Sequence, residues 1–178
     1  MMKDQFIAAL PVSAEDVTVR LFRAEDISEA YIGWLNHPGT MRFSNQRFIQ
    51  HDDESCQAFY HSVKASPSVF LAIEHKAFGH VGTMTVHFND RHGTADMGIL
   101  VGAPDVKGSG VGRRAWQLAL DLALSLPEMR KVTAGTLSCN RAMLGVAEAT
   151  GMVPDGIRIA QELVDGEAYD MHYFAAFR

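Results

Sequence analysis

Three consecutive pieces of the chain constrain its fold more than any other feature. They are an alternating run, "TADMGILVG" (Thr94 to Gly102), a glycine-rich segment, "APDVKGSGVGRRA", and an amphipathic stretch leading into a second β-rich run, "KVTAGTL" (Lys131 to Leu137). In the first run Ala95, Met97, Ile99 and Val101 share one face, and Asp96 and Gly98 lie on the other. Ala115, Leu118, Ala119 and Leu122 recur at helical spacing, which predicts a helix from about Val111 to Leu126 with an inward stripe. Two strands joined by a crossover helix pair in parallel. The fold therefore contains a parallel strand junction with a glycine loop at the head of its crossover.

The rest of the chain supplies the frame. Val17 to Phe22 reads as a short strand. Ile27, Ala30, Tyr31, Trp34 and Leu35 mark a helix closed by "NHPG", and Cys56, Phe59, Tyr60 and Val63 mark a second that ends before Pro67. "SVFLAIEH" (Ser68 to His75) and "HVGTMTVHF" (His80 to Phe88) form an antiparallel meander with the Thr94 strand. Asn140 caps a helix that Gly151 ends, and two strands flank the hairpin signal Asp165-Gly166. This order is that of a mixed α/β (α+β) domain: a mostly antiparallel sheet, one parallel junction between the fourth and fifth of these strands, and flanking helices. No repeat or long linker divides the chain. A single domain over residues 1–178 is expected, with a core from about 17 to 177 and residues 1–16 as an N-terminal extension.

Sixteen basic against twenty-one acidic residues give a net charge of −5, which argues against nucleic acid as a partner. Cys56 and Cys139 are far apart and lack metal-ligand spacing, so neither a disulfide framework nor a metal site is expected. The N-terminus makes a poor signal peptide, and no apolar stretch reaches spanning length. A cytoplasmic protein with no membrane partner is the expectation.

Gly108, Gly110 and Gly112 alternate in "KGSGVGRRA", and arginines follow in the first helical turn, where the macrodipole disfavours positive charge. The segment is not a nucleotide P-loop, because Gly112 is followed by Arg113 rather than Lys. Nor is it a dinucleotide fingerprint, whose third glycine position holds arginine. The remaining phosphate reading is a nest of backbone amides at a helix N-terminus that clasps a pyrophosphate, with Lys107, Arg113 and Arg114 as countercharge.

These residues resemble the acyl-CoA pyrophosphate loop of the GNAT superfamily of N-acetyltransferases, with Lys107 in the position usually held by Gln or Arg. "TADMGILVG" is similar to that family's fourth strand, and "CNRAMLGVAEATGM" to its Asn-led helix. "VTVRLFRAEDISEAYIGWLNHP" and "LVDGEAYDMHYFAAF" are similar to the ends of its ribosomal-protein-alanine acetyltransferase-like branch. The resemblance runs from about Val17 to Phe177. It implies a GNAT-like fold whose parallel fourth and fifth strands splay apart to admit the pantetheine arm of acetyl-CoA, used as co-substrate without a metal. It assigns backbone contacts to Ile99, Leu100 and Val101, the pyrophosphate to Lys107, Gly108, Ser109, Gly110, Val111, Gly112, Arg113 and Arg114, and a pantetheine hydrogen bond to Asn140. It allows a homodimer.

The implied activity is direct acetyl transfer to a primary amine: a small molecule, an amino sugar or the N-terminus of a peptide or protein. Such a reaction needs a base for the amine proton. Asp96, on the polar face of the fourth strand, is the first candidate, and His87 on the neighbouring strand is the second. Many family members carry a tyrosine acid in the last helix, where this chain has Ala147. That departure supports a rival reading, a non-catalytic acyl-CoA-binding sensor or scaffold. On the acceptor side, Trp34, Arg42, Arg47 and Tyr169 are the candidate contacts, the arginines for an anionic acceptor.

Overall fold

The computed structural model describes residues 1–178. Its strands are β1 Val12–Ala14, β2 Val17–Leu21, β3 Ser68–His75, β4 Gly79–Asn89, β5 Thr94–Val101, β6 Lys131–Leu137, β7 Val153–Val164 and β8 Glu167–Phe177. Its helices are α1 Met2–Ala8, α2 Glu29–Asn36, α3 Pro38–Met41, α4 Asp53–Ala65, α5 Val111–Ser125 and α6 Arg141–Ala149. The strands form one sheet in the order β1-β2-β3-β4-β5-β6-β8-β7. β5 and β6 are the parallel pair, and every other pairing is antiparallel.

Alternation along the strands sends side chains to two faces. On one face Leu71, Ile73, Met84, Val86 and Met97 meet Ala115, Trp116, Ala119 and Leu120 of α5 in the main core. On the other, Phe70 and Ala72 pack with Phe22, Tyr31, Cys56 and Val63 in a smaller core beneath α2 and α4. Side-chain caps hold the starts of both helices. Asp52 and Ser55 form a reciprocal capping box on α4, and Ser28 accepts from Tyr31 N–H at the start of α2.

Residues 1–16 are not an appendage to this core. Met2 and Phe6 of α1 are 1% and 0% exposed. The Phe6 ring meets Phe88 edge-on at 5.4 Å, and the Met2 amide donates to Asp90 at 2.8 Å. α1 is only seven residues long, too short to display a helical period in the sequence.

The feature that sets up the site is the way β5 and β6 part. Their register covers only Thr94–Lys131, Ala95–Val132 and Asp96–Thr133. β5 stays paired with β4 as far as Val101, and β6 stays paired with β8 as far as Leu137. Beyond Asp96 the inner edges of both strands are left without each other, and backbone groups so exposed call for another partner.

Candidate active site

The glycine loop lies at the head of α5. Gly108 and Gly110 have φ of 77° and 82°, a region that a side chain disfavours, and Gly110 serves as the N-cap of α5. The amides of Gly108, Gly110, Val111, Gly112 and Arg113 donate to no backbone carbonyl. They cluster at the positive end of a fifteen-residue helix, an arrangement suited to a phosphate group. Gly112 has a different task from the one expected. It is helical, and a Cβ there would lie 3.3 Å from Val101 Cγ2, so its bareness lets α5 approach β5.

The three basic residues of the loop separate into two groups. Lys107 and Arg113 are exposed and have no ion-pair partner. Arg114 turns back into the protein. Its guanidinium reaches Asp16 at 2.9 Å and donates to Ser109 O at 3.2 Å, and its side chain is only 18% exposed. Asp16 in turn meets His75 Nε2 at 2.8 Å. Desolvation raises the Asp16 pKa, but the His75 bond and the Arg114 charge prevail and hold it below its ordinary value. Arg114 therefore ties the loop to the β1–β2 turn instead of standing free beside it.

Asn140 also has partners within the chain. Its Oδ1 accepts from Met143 N–H as the cap of α6, and its Nδ2 donates to Thr136 Oγ1 at 3.1 Å. Ala147 is fully buried in the main core. Ile99, Leu100 and Val101 lie on the stretch of β5 that has lost β6.

Asp96 occupies the last paired position before the strands part. Thr133 Oγ1 donates to its Oδ1 at 2.7 Å, while Oδ2 has no partner. The carboxylate lies on the open face of the sheet. Desolvation nevertheless raises its pKa above the ordinary carboxylate value, against the opposing Thr133 bond and the nearby His87. His87 is its direct cross-strand neighbour, and its Nδ1 shares a 2.6 Å hydrogen bond with Ser68 Oγ. The two candidate bases thus stand side by side on one face.

On that same face, between the sheet and helices α2 to α4, lies a cavity of about 350 Å³. Gly98 and Leu100 of β5 and Thr83 and Thr85 of β4 form its floor, and Tyr31, Cys56 and Phe59 are among its walls. Thr85 Oγ1 would lie 3.1 Å from a Cβ on Gly98, so the floor is open where β5 lacks a side chain. Neither the cavity nor His51, which also lines it, was indicated by sequence spacing. Its lining comes from segments far apart in the chain. The one signal was Thr83 and Thr85, polar residues alternating along a face otherwise destined for burial.

The expected acceptor residues lie elsewhere. Trp34 packs its ring onto Gly102, where a Cβ would overlap the indole, and stacks edge-on with His80 at 5.2 Å. Arg42 pairs with Asp165 at the tip of the β7–β8 hairpin at 2.8 Å. Arg47 donates to the carbonyls of Ser44 and Leu163 and covers the Phe48 ring. Both arginines fasten the segment after α3 to the hairpin, so neither guanidinium is free for an anion. Tyr169 sits in the same hairpin opposite Glu162. None of these four side chains lines the cavity. No group of three or more His, Cys, Asp or Glu side chains comes together, and no helix is long and apolar enough to cross a membrane.

A sheet that parts along a parallel junction, with an amide nest at the head of the crossover helix and a carboxylate at the fork, defines an acyl-CoA-dependent transferase. Residues 16–153 match the family model described as Acetyltransferase (GNAT) domain, and the chain belongs to that family. It is an acetyl-CoA-dependent N-acetyltransferase. No curated protein matches the sequence significantly. Among solved structures, the spermidine N-acetyltransferase from Vibrio cholerae in complex with CoA and spermine has a TM-score of 0.79 at 17% identity, covering 91% of this chain and 95% of that one. A ribosomal L7/L12 alpha-N-protein acetyltransferase in complex with coenzyme A has 0.80 at 12%, covering 92% and 95%. A microcin C7 self-immunity acetyltransferase in complex with acetyl-CoA and AMP has 0.79 at 13%, covering 93% and 94%. At these identities the likeness is one of fold.

Proposed function

We propose that the enzyme transfers acetyl directly to a primary amine held over Gly98, with Asp96 as the base. The observation that carries this reading is the position of Asp96. It is the last rung before the fork, with one carboxylate oxygen fixed by Thr133 and the other free. The cofactor residues fit acetyl-CoA. The free amides from Gly108 to Arg113, with Lys107 and Arg113, hold its pyrophosphate. The unpaired edge of β5 at Ile99, Leu100 and Val101 offers backbone groups to its pantetheine arm, and Asn140 lies beside the Thr136 end of β6.

Bound acetyl-CoA supplies an acyl group activated as a thioester. Asp96 Oδ2 takes the proton that the amine loses as its nitrogen bonds to the acyl carbon. The backbone N–H groups of the free β5 edge are the donors available to the carbonyl oxygen. His87, held by Ser68, keeps a second titratable group beside Asp96. With Ala147 in the core, solvent protonates the departing sulfur; a thiol near pKa ~8.5 leaves without a strong acid. A single functional unit over residues 1–178, a cytoplasmic setting and a homodimer belong to the same reading. The exposed β7 edge, with Ile157 and Ile159 at 57% and 83% exposure, supports the dimer.

The test is Asp96→Asn, measured by thiol release from acetyl-CoA. The Asn side chain keeps the acceptor for Thr133 and loses the base. A fall in kcat of about 10²- to 10⁴-fold, with acetyl-CoA affinity unchanged, is expected. Wild-type turnover in this variant overturns the assignment.

A further inference from the structure

The cavity beside Gly98 has a chemical character that bears on the acceptor. Leu35, Met41, Ile49, Phe59 and Phe70 contribute most of its wall. Phe59 and Phe70 meet edge-on at 5.3 Å, which gives one side an aromatic surface. The polar groups that reach the lining are hydroxyls, Gln46 and His51. No carboxylate lines it, and burial pushes both the Cys56 thiol and the Tyr31 phenol up, so neither supplies a negative charge near neutrality. Asp52, Asp53 and Glu54 stand at the N-terminus of α4, beside the lining residues His51 and Ser55 in the chain. There Asp52 is bound to the Ser55 amide, and all three are exposed.

A polycation entering this space would leave its inner ammonium groups without counter-ions among apolar walls, at a large desolvation cost. An amine with a single nitrogen and an apolar body meets no such cost: its nitrogen reaches the fork near Asp96 and its body replaces water against Phe59 and Phe70. We infer that the acceptor is a monoamine with an aromatic or branched apolar body, of the arylalkylamine class, and not a polyamine or a polycationic amino sugar. This deepens the direct-transfer reading above and rests on it. The volume of about 350 Å³ suits a ligand of this size and lies in the range of small-molecule pockets.

The experiment sets 2-phenylethylamine against spermidine, with acetyl-CoA affinity measured separately by calorimetry. The expected result is a kcat/KM at least tenfold higher for 2-phenylethylamine, together with calorimetric binding of that amine to the CoA-loaded protein. Phe59→Ala, at a side chain already 42% exposed, lowers kcat/KM for 2-phenylethylamine about tenfold. It leaves acetyl-CoA affinity unchanged. Gln46→Glu adds one carboxylate to the lining and narrows the preference. Spermidine turning over as well as or better than 2-phenylethylamine overturns the inference and leaves the direct-transfer reading standing. Acetyl-CoA binding with no transfer to any arylalkylamine also overturns it. Absence of acetyl-CoA binding overturns the underlying reading instead.

Discussion

Two adjacent arginines at the head of α5 are expected to behave as different kinds of residue. Arg113 is exposed and free, whereas Arg114 is committed to Asp16 and to the Ser109 carbonyl. A charge-assisted hydrogen bond to phosphate is worth about 1.5–3 kcal/mol. Because Arg113 faces solvent, the lower end of that range applies, and about 1.4 kcal/mol corresponds to a tenfold change in Kd. Arg113→Ala therefore raises the acetyl-CoA Kd about tenfold, and the difference from wild type shrinks at high salt as screening grows. Arg114→Ala moves the Kd by less than about threefold, under half of the free-energy effect of Arg113→Ala. It lowers the melting temperature of the free protein, because Asp16 loses a cation and the loop loses its tie to the β1–β2 turn. Calorimetric titration and thermal unfolding of the two single variants read both effects. If Arg114→Ala weakens acetyl-CoA as much as Arg113→Ala does, the division of roles is wrong.

Three further outcomes follow from the same structure. The raised pKa of Asp96 means that the fold favours its protonated form. Its contribution to stability is full below the unfolded pKa and is lost as pH rises through the folded value. Asp96→Asn is thus more stable than wild type at pH 7 in urea unfolding, and the kcat/KM of wild type rises through a limb displaced upward from the ordinary Asp pKa. Asp26 shows the opposite sign. Desolvation raises its pKa, but the forked hydrogen bonds from Arg20 at 2.7 and 2.8 Å outweigh it and hold the value down. Stability is then lost as pH falls from about 4 toward that lower folded pKa, and Asp26→Asn, which leaves Arg20 with Glu74 as its one carboxylate partner, costs about 1.5–3 kcal/mol by denaturant titration. Gly102→Ala drives a methyl into the Trp34 ring. It costs about 1–3 kcal/mol, and by displacing α2, which carries Tyr31 and Leu35, raises the amine KM.

Much of this architecture could be read from the chain because it is written in local patterns. The alternation of Ala95, Met97, Ile99 and Val101, the stripe of α5 and the turn at Asp165-Gly166 each lie within one short window, and each element formed where expected. The loop amides follow from the glycines in the same way. What remained hidden depends on contacts distant in sequence. Arg113 and Arg114 look alike until Asp16 is folded against one of them. Trp34, Arg42 and Arg47 carry chemistry suited to a ligand, but Gly102, Asp165 and the Leu163 carbonyl occupy them first. The contribution of α1 to the core rests on Met2 and Phe6 alone, and two apolar residues four apart do not announce a helix.

The short junction between β5 and β6 gives the sheet an unusual mechanical character. Strands β1 to β5 form one panel and β6, β8 and β7 another, and three residue pairs, Thr94–Lys131 to Asp96–Thr133, are the only rungs between them. α5 crosses the seam on one side and acts as a brace, since it packs against both β5 and β6. A ligand that fills the gap adds rungs where the chain has none and so fastens two plates into one. Amide hydrogens along Gly98–Val101 and Gly135–Leu137 would then be the ones whose exchange slows most on loading, and the whole domain would unfold as a more cooperative unit with its co-substrate than without it.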